Sequence, residues 1–84
     1  MESVTPEELY LFCKADSEEQ QLLAEQMAEA AEAELLAIGI PLTDLNRSRF
    51  SFAVKAMALR RMDYPDDPIT PGIRGLINQL KFNH

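Results

Sequence analysis

One stretch decides the fold: residues 16–41 read DSEEQQLLAEQMAEAAEAELLAIGIP. The stretch is rich in alanine, leucine and glutamate, which are strong helix formers. Asp16 or Ser17 is placed to cap the start of a helix, and Gly39 followed by Pro41 is placed to end it after Ile38. The stretch therefore predicts a helix of about 22 residues, which is ~33 Å long.

On a helical wheel, the apolar side chains of this long helix gather on one broad face. They are Leu23, Ala24, Met27, Ala30, Ala31, Leu35 and Ile38. An acidic stripe falls on the opposite side and consists of Glu18, Glu25, Glu29 and Glu32. Glu34 lies within the apolar face, where we expect its side chain to extend to solvent. Leu22 and Leu36 lie beside the acids, either as isolated surface leucines or as contacts with another subunit.

Shorter helices are predicted on both sides of the long one. Thr5-Pro6-Glu7-Glu8 is a capping signal for a helix that reaches about Cys13, with Leu9 and either Phe12 or Cys13 turned inward. Asn46 or Ser48 caps a third helix from about Arg49 to Met62. This helix is apolar on two sides and is therefore the predicted hub of the core. Its apolar residues are Phe50, Ala53, Val54 and Met57 on one side and Phe52, Ala56 and Leu59 on the other.

The C-terminal third begins with a proline-rich loop, residues 64–71, and continues into a short helix with Ile73, Leu76, Ile77 and Leu80 at helical spacing. Gly72 and Gly75 weaken this helix, so we expect it to dock on another surface. The sequence predicts one all-α domain over residues 1–84, a small bundle of about four helices. Its core covers about residues 5–62, and residues 72–84 form the docking segment.

Charge is divided between the two halves of the chain. Residues 1–46 carry eleven acidic residues and one basic residue, whereas residues 47–84 carry seven basic and three acidic residues, giving net charges of −10 and +4. Opposite charge on the two halves of a small subunit favours contact between unlike surfaces of neighbouring copies, and such contacts can close into a ring. The simpler reading is that the charges are solvated helix faces.

Catalytic groups do not converge in this sequence. The only histidine, His84, is the last residue. Apart from it, the sequence has no histidine that could activate the Cys13 thiol. Structural zinc needs more ligands than one cysteine and one histidine supply. The sequence lacks a calcium loop, and Gly72–Gly75 does not have the spacing of a phosphate loop. We therefore expect no enzyme, no cofactor, no metal and no small-molecule substrate.

The compartment follows from the same composition. A single thiol is typical of a reducing compartment, and the acidic start does not resemble a signal peptide. No run of apolar residues approaches the ~20 that a membrane-spanning helix needs. We therefore expect a soluble protein that is made in a cytoplasm and has no membrane partner.

Two other interpretations of the charged helices remain open. The third helix carries a cluster of basic residues, as in a DNA-binding regulator or a DNA-packaging accessory: Arg47, Arg49, Lys55, Arg60 and Arg61. A net charge of −6 argues against a dedicated DNA binder. Alternatively, the acidic helix could bind a host partner, as DNA mimics do.

The order of motifs resembles a known family. A long acidic helix is followed by Phe52-Ala53-Val54-Lys55-Ala56-Met57-Ala58-Leu59-Arg60-Arg61-Met62, a proline-rich loop, and Pro71-Gly72-Ile73-Arg74-Gly75-Leu76-Ile77-Asn78-Gln79-Leu80. This pattern is similar to the small head–tail connector (adaptor) proteins of tailed bacteriophages and prophages, which are often labelled as possible DNA-packaging proteins. The similarity extends from about Thr5 to Lys81.

The resemblance implies a structural subunit in a ring of about a dozen copies beneath the portal. Such a ring extends the DNA channel and supports the next connector or tail protein. The implied location is the head–tail junction of a virion, after synthesis in the bacterial cytoplasm. The stripe of Glu18, Glu25, Glu29 and Glu32 would face the channel or a basic neighbour, and DNA would pass without specific binding. Arg47, Arg49, Arg60 and Arg61 would meet acids of the adjacent subunit, and the segment from Pro71 to Leu80 would dock on the portal or a neighbour.

Overall fold

The computed structural model describes residues 1–82 and contains four α-helices, with no strand in that range. The helices are α1 (Pro6–Cys13), α2 (Glu18–Ala37), α3 (Arg47–Asp63) and α4 (Pro71–Phe82). The all-α fold class is confirmed, and so is the small helical bundle. Asn83 and His84, which end the predicted docking segment, lie outside the described residues.

The helix starts follow the capping signals. The Thr5 hydroxyl accepts a hydrogen bond from the Glu8 N–H at 3.3 Å, and Pro6 occupies the first turn of α1. Ser17, rather than Asp16, caps α2 by accepting from the Gln20 N–H at 3.2 Å. Each cap satisfies one of the N–H groups that a helix start leaves without a partner.

Gly39 ends α2, as predicted. Its φ of +93° lies in the left-handed region that glycine tolerates. The Ile40 N–H donates to the Leu35 carbonyl and the Gly39 N–H to the Leu36 carbonyl, both at 3.1 Å. This is the Schellman pattern, and it brings the buried side chains of Leu35 and Ile40 to the same helix end.

α3 is the hub of the bundle, since it contacts each of the other three helices. Phe50, Ala53, Val54 and Met57 are buried, which confirms the first predicted apolar strip. The second strip is only partly covered: the Phe52 ring is exposed on one side and meets Phe12 edge-to-face, with the ring centroids 5.8 Å apart. The helix begins two residues earlier than predicted, at Arg47, and ends at Asp63.

The predicted apolar face of α2 is confirmed only in part: Ala24, Ala31 and Leu35 are buried, but the buried side is turned away from Leu23. Leu23, Ala30 and Ile38 are exposed, and the buried residues are Ala24, Ala28, Ala31 and Leu35. The helix packs through its alanines because small side chains let α2 approach α3 closely, and α3 contributes its own buried alanines, Ala53 and Ala58. The face is rotated away from Leu23, which leaves larger apolar side chains outside.

α4 is longer than the predicted Ile73–Leu80 and packs against α3. The Thr70 hydroxyl accepts from the Ile73 N–H at 3.1 Å and so caps its first turn. Ile73 and Leu80 are buried, whereas Leu76 and Ile77 are half-buried. The predicted spacing of apolar residues is therefore confirmed, but the docking side is incompletely covered.

Replacing Gly75 by alanine is expected to raise the free energy of unfolding by about 0.5–1 kcal/mol. A Cβ atom at this exposed position meets no atom within 4 Å, and the backbone does not have positive φ. Urea unfolding followed by circular dichroism measures the change. Gly39→Ala is the control of opposite sign, because its positive φ makes a side chain unfavourable. Loss of stability in Gly75→Ala would contradict the helical backbone at this position.

Candidate interaction surface

The outer side of α2 carries exposed apolar residues. Leu22 is 57% exposed and Leu36 is 48% exposed. These two lie fourteen residues apart along the helix and so share one side, together with Glu29 halfway between them. Ala30, Ala33 and Ala37 are also exposed on this helix. The predicted interface leucines are thus available on one surface, and α2 presents them along most of its length.

The predicted acidic stripe divides into two pairs. Glu18 and Glu29 are exposed, whereas Glu25 and Glu32 are half-buried and turned towards the N-terminal part of the chain. The Tyr10 hydroxyl donates to a Glu25 carboxylate oxygen at 2.6 Å. A continuous stripe on the side opposite the core is therefore wrong, because two of its four members bind α1 or the segment before it.

Glu32 holds the start of the chain. The Ser3 hydroxyl donates to one of its carboxylate oxygens at 2.9 Å, and the Glu2 N–H donates to the other at 3.2 Å. Val4, next in the chain, is buried in the core. Sequence reasoning missed this role, because terminal segments are usually mobile and residues 2–4 show no helical pattern.

The Tyr10–Glu25 contact predicts an alkaline pH dependence. The hydrogen bond to Glu25, then burial, then the charges of Glu25 and Glu7 raise the pKa of Tyr10. A raised pKa in the folded state means that the contact stabilises the fold at neutral pH, and this contribution is lost as the pH rises through the raised pKa. In a Tyr64→Phe background, ultraviolet absorbance of tyrosinate reports Tyr10 alone. Glu25→Gln is expected to move the titration to lower pH, and an unchanged titration would contradict the contact.

Three of the four α3 arginines predicted for the subunit interface are engaged within the chain. Arg61 donates to a Glu34 carboxylate oxygen, so the glutamate that lies within the predicted apolar face of α2 has a partner on α3. Arg60 donates to the backbone oxygen and the carboxylate of Asp67 and lies 4.0 Å from the centre of the Tyr64 ring. Arg47 donates to the Glu2 carbonyl at 3.3 Å and lies 3.8 Å from the Asp44 carboxylate.

These contacts assign part of the basic charge of α3 to the fold of one copy instead of to contacts between copies. Arg60 fastens the proline-rich loop to α3, and Arg61 joins α3 to α2, so both serve the fold of a single copy. Arg49 and Arg74 are exposed, and their side chains have no hydrogen-bond or ion-pair partner within residues 1–82. Of the predicted basic interface residues, these two are the ones whose charge is not already paired.

The predicted docking segment leaves one side of α4 outside the bundle. Pro71, Gly72, Arg74 and Gly75 are exposed, and the Phe82 side chain is 84% exposed. Because Ile73 and Leu80 are buried, the apolar stripe anchors the helix while the opposite side remains accessible. The structure therefore brings Ile73, Leu76, Ile77 and Leu80 together on the inner side and places the glycines outside.

An apolar groove lies between the C-terminal half of α2 and α4. Its cavity volume is about 400 Å³, and Leu35, Ile38, Met57, Ile69 and Ile77 line it together with Ala37 and Glu34. Sequence reasoning did not identify this groove, because its residues come from three helices and a loop. The helical wheel placed Ile38 in the core, but the structure leaves it exposed at the groove.

The described residues offer neither a candidate metal site nor an activated thiol. No group of three or more His, Cys, Asp and Glu side chains that could hold a metal is found in residues 1–82. Cys13 is buried, and burial, followed by the charge of Asp63, raises the pKa of its thiol. A raised thiol pKa keeps the sulfur protonated and weakly nucleophilic. No helix in the same range is both long enough and apolar enough to cross a membrane.

The structure thus presents surfaces for association: the outer side of α2, the accessible side of α4 and the groove between these helices. Comparison of the chain with protein-family models, with curated proteins and with solved structures found no match.

Proposed function

We propose that the chain is a structural subunit of a head–tail connector ring of a tailed bacteriophage or prophage. In this role it docks on the portal, extends the DNA channel and supports attachment of the tail. The observation that carries the proposal is the exposure of apolar residues at both ends of α2, Leu22 near its start and Leu36 and Ile38 near its end. A small helical subunit with apolar surface at two separated places is suited to contact two neighbours.

The distribution of the exposed acids supports passage of DNA. The Glu29 carboxylate extends from the middle of α2 without a hydrogen-bond or ion-pair partner in residues 1–82. Acidic groups on a channel wall repel phosphates and therefore disfavour binding of the duplex to the wall. Glu25 and Glu32 contribute less to such a wall, because their carboxylates accept hydrogen bonds from Tyr10, Ser3 and the Glu2 N–H.

α4 is the portal-docking element in this proposal. It is anchored on α3 by two buried residues and leaves its glycine-containing side open, where another backbone can approach closely. The location that follows is the head–tail junction of the virion, after synthesis in the cytoplasm of the bacterial host. The function is assembly, without catalysis or a cofactor.

A DNA-binding regulator receives less support. Phosphate contacts need accessible cationic groups, and Arg47, Arg60 and Arg61 already contact carboxylates or carbonyls of the same chain. Arg49 remains as the unpaired arginine of α3. A single unpaired arginine on this helix, in a protein with net charge −6, gives a weak electrostatic basis for duplex binding.

Mixing the full chain with the portal protein encoded in the same genome tests the proposal. We expect the two to elute together in size-exclusion chromatography, with several copies of the chain per portal ring. Band shifts with duplex DNA and capture of a host enzyme at one-to-one ratio are the parallel arms. Binding in either of those arms, with no binding to the portal, would overturn the proposal.

A further inference from the structure

The groove between α2 and α4 is an incomplete part of the core. α2 and α4 both pack on α3, and the floor between them is formed by Leu35 and Met57, which are buried. Ile38 on one wall and Ile77 on the other remain partly accessible. The volume of about 400 Å³ falls within the range of protein binding pockets. Apolar side chains of a second molecule would complete the packing.

The rim of the groove is basic on the α4 side. Arg74 precedes Ile77 by three residues and Lys81 follows it by four, so both lie beside Ile77 on the helix surface. α4 contains no acidic residue. On the α2 side, the Glu34 carboxylate is neutralised by Arg61. An occupant with apolar side chains next to carboxylates therefore matches the groove in both polarity and charge.

The start of α2 has this composition. Leu22 and Leu23 are 57% and 40% exposed, and Glu18 and Glu19 lie one turn earlier on the same side of the helix. Neither glutamate has a hydrogen-bond or ion-pair partner in the described range, residues 1–82. We call these four residues the acidic plug. Two leucines and two carboxylates face outward together, which complements the two isoleucines of the groove and the exposed Arg74 on its rim.

We propose that the acidic plug of one copy docks into the groove between α2 and α4 of the next copy. The choice of a second copy as the occupant rests on the proposed ring function. The choice of the plug as its docking segment rests on the match in charge and polarity between plug and groove. Leu23 and Ile38 are fifteen residues apart on α2, or ~22 Å, so a plug does not reach the groove of its own chain. Contact between two unlike surfaces leaves one free plug and one free groove after each addition, and such a series closes into a ring or extends as a filament.

Disulfide trapping tests the contact even when association in dilute solution is weak. In a Cys13→Ala background of the full chain, Leu23→Cys and Ile77→Cys are combined and the protein is oxidised with oxidised glutathione. The expected product is a ladder of covalent dimers, trimers and larger species. The control combines Leu45→Cys with Ile77→Cys, because Leu45 is 97% exposed and lies in the loop after α2. We expect the plug pair to form dimers about tenfold faster than the control pair.

Charge exchange provides an independent readout. Arg74→Glu is expected to slow formation of the ladder by about threefold, as is the pair Glu18→Lys and Glu19→Lys. Combining the three substitutions restores opposite charges across the contact and should recover the rate. All three positions are exposed, so the variants are expected to keep the helical circular dichroism of the parent.

Two results would overturn the inference. Equal rates for the plug pair and the Leu45 control would mean that the groove does not receive the plug. Efficient dimers from Leu23→Cys alone would indicate a two-fold contact between identical surfaces. The proposed function and this contact can fail independently. A ladder without binding to the portal would remove the connector role and keep the contact between copies. Portal binding without a ladder would keep the connector role and remove the contact.

Discussion

Replacing Phe50 by alanine is expected to lower the free energy of unfolding by about 3–5 kcal/mol. Phe50 is fully buried in α3, the helix that contacts the other three, so its ring is part of the bundle core. Removing it costs the transfer free energy of the ring and leaves a cavity. A domain of this length has a total stability of only about 4–13 kcal/mol, so the variant is expected to be partly unfolded or close to it.

Phe52→Ala is the matched control, since it removes the same ring two residues away on the same helix. Phe52 is exposed on one side and contacts Phe12 edge-to-face, so we expect a loss of about 1 kcal/mol. Urea unfolding monitored by circular dichroism gives both values. Similar losses for the two variants would contradict the orientation of α3 and its place at the centre of the bundle.

Replacing Asn46 by alanine is expected to lower the free energy of unfolding by about 2–4 kcal/mol. Its side chain is buried and organises the loop between α2 and α3: Oδ1 accepts from the Thr43 N–H at 2.8 Å, and Nδ2 donates to the Pro41 carbonyl at 2.7 Å. Alanine leaves the Thr43 N–H and the Pro41 carbonyl without this partner in a partly buried site. Buried polar groups without a hydrogen bond are strongly unfavourable.

Two further variants separate this effect from a general loss of helix capping. Asn46→Asp keeps an acceptor for Thr43 but places a carboxylate beside the Pro41 carbonyl, so it is expected to be destabilising as well. Asn78→Ala, at an exposed position of α4, is expected to change stability by less than about 0.5 kcal/mol. A small effect of Asn46→Ala would contradict the buried position of its amide.

The sequence predicted the helices because their signals are local. Thr5 with Pro6, Ser17, and Gly39 with Pro41 each act within one turn, and the structure places helix ends at these residues. α3 was identifiable as the hub because large apolar side chains cover two of its sides. The fold class therefore followed from patterns that do not depend on distant residues.

The orientation of α2 was not predictable in the same way. Alanines occur on every side of this helix, so the larger side chains of Leu23 and Ile38 decided the direction of the predicted face. Packing against α3 instead buries Ala24, Ala28 and Ala31. Asn46 or Ser48 was expected to cap α3. Asn46 occupies the N-cap position, but its side chain makes no cap hydrogen bond and instead holds the preceding loop. Both features depend on contacts between elements, which a single-sequence pattern does not contain.

The candidate surface changed for the same reason. The sequence assigned Arg60 and Arg61 to the adjacent subunit, and the structure pairs them with Asp67 and Glu34 of the same chain. Reversing those charges would first weaken the fold of one copy, so such variants are poor tests of assembly. Arg74 and the acids at the start of α2 are better tests, because they are exposed.

The connector role is tested by electron-microscopic averages of the portal protein mixed with the full chain. We expect an added ring of density on one side of the portal, built from repeated copies that meet through unlike surfaces. Leu22→Asp in the acidic plug is expected to remove that ring. Portal particles that stay unchanged, while the chain binds duplex DNA at a defined site, would contradict the account.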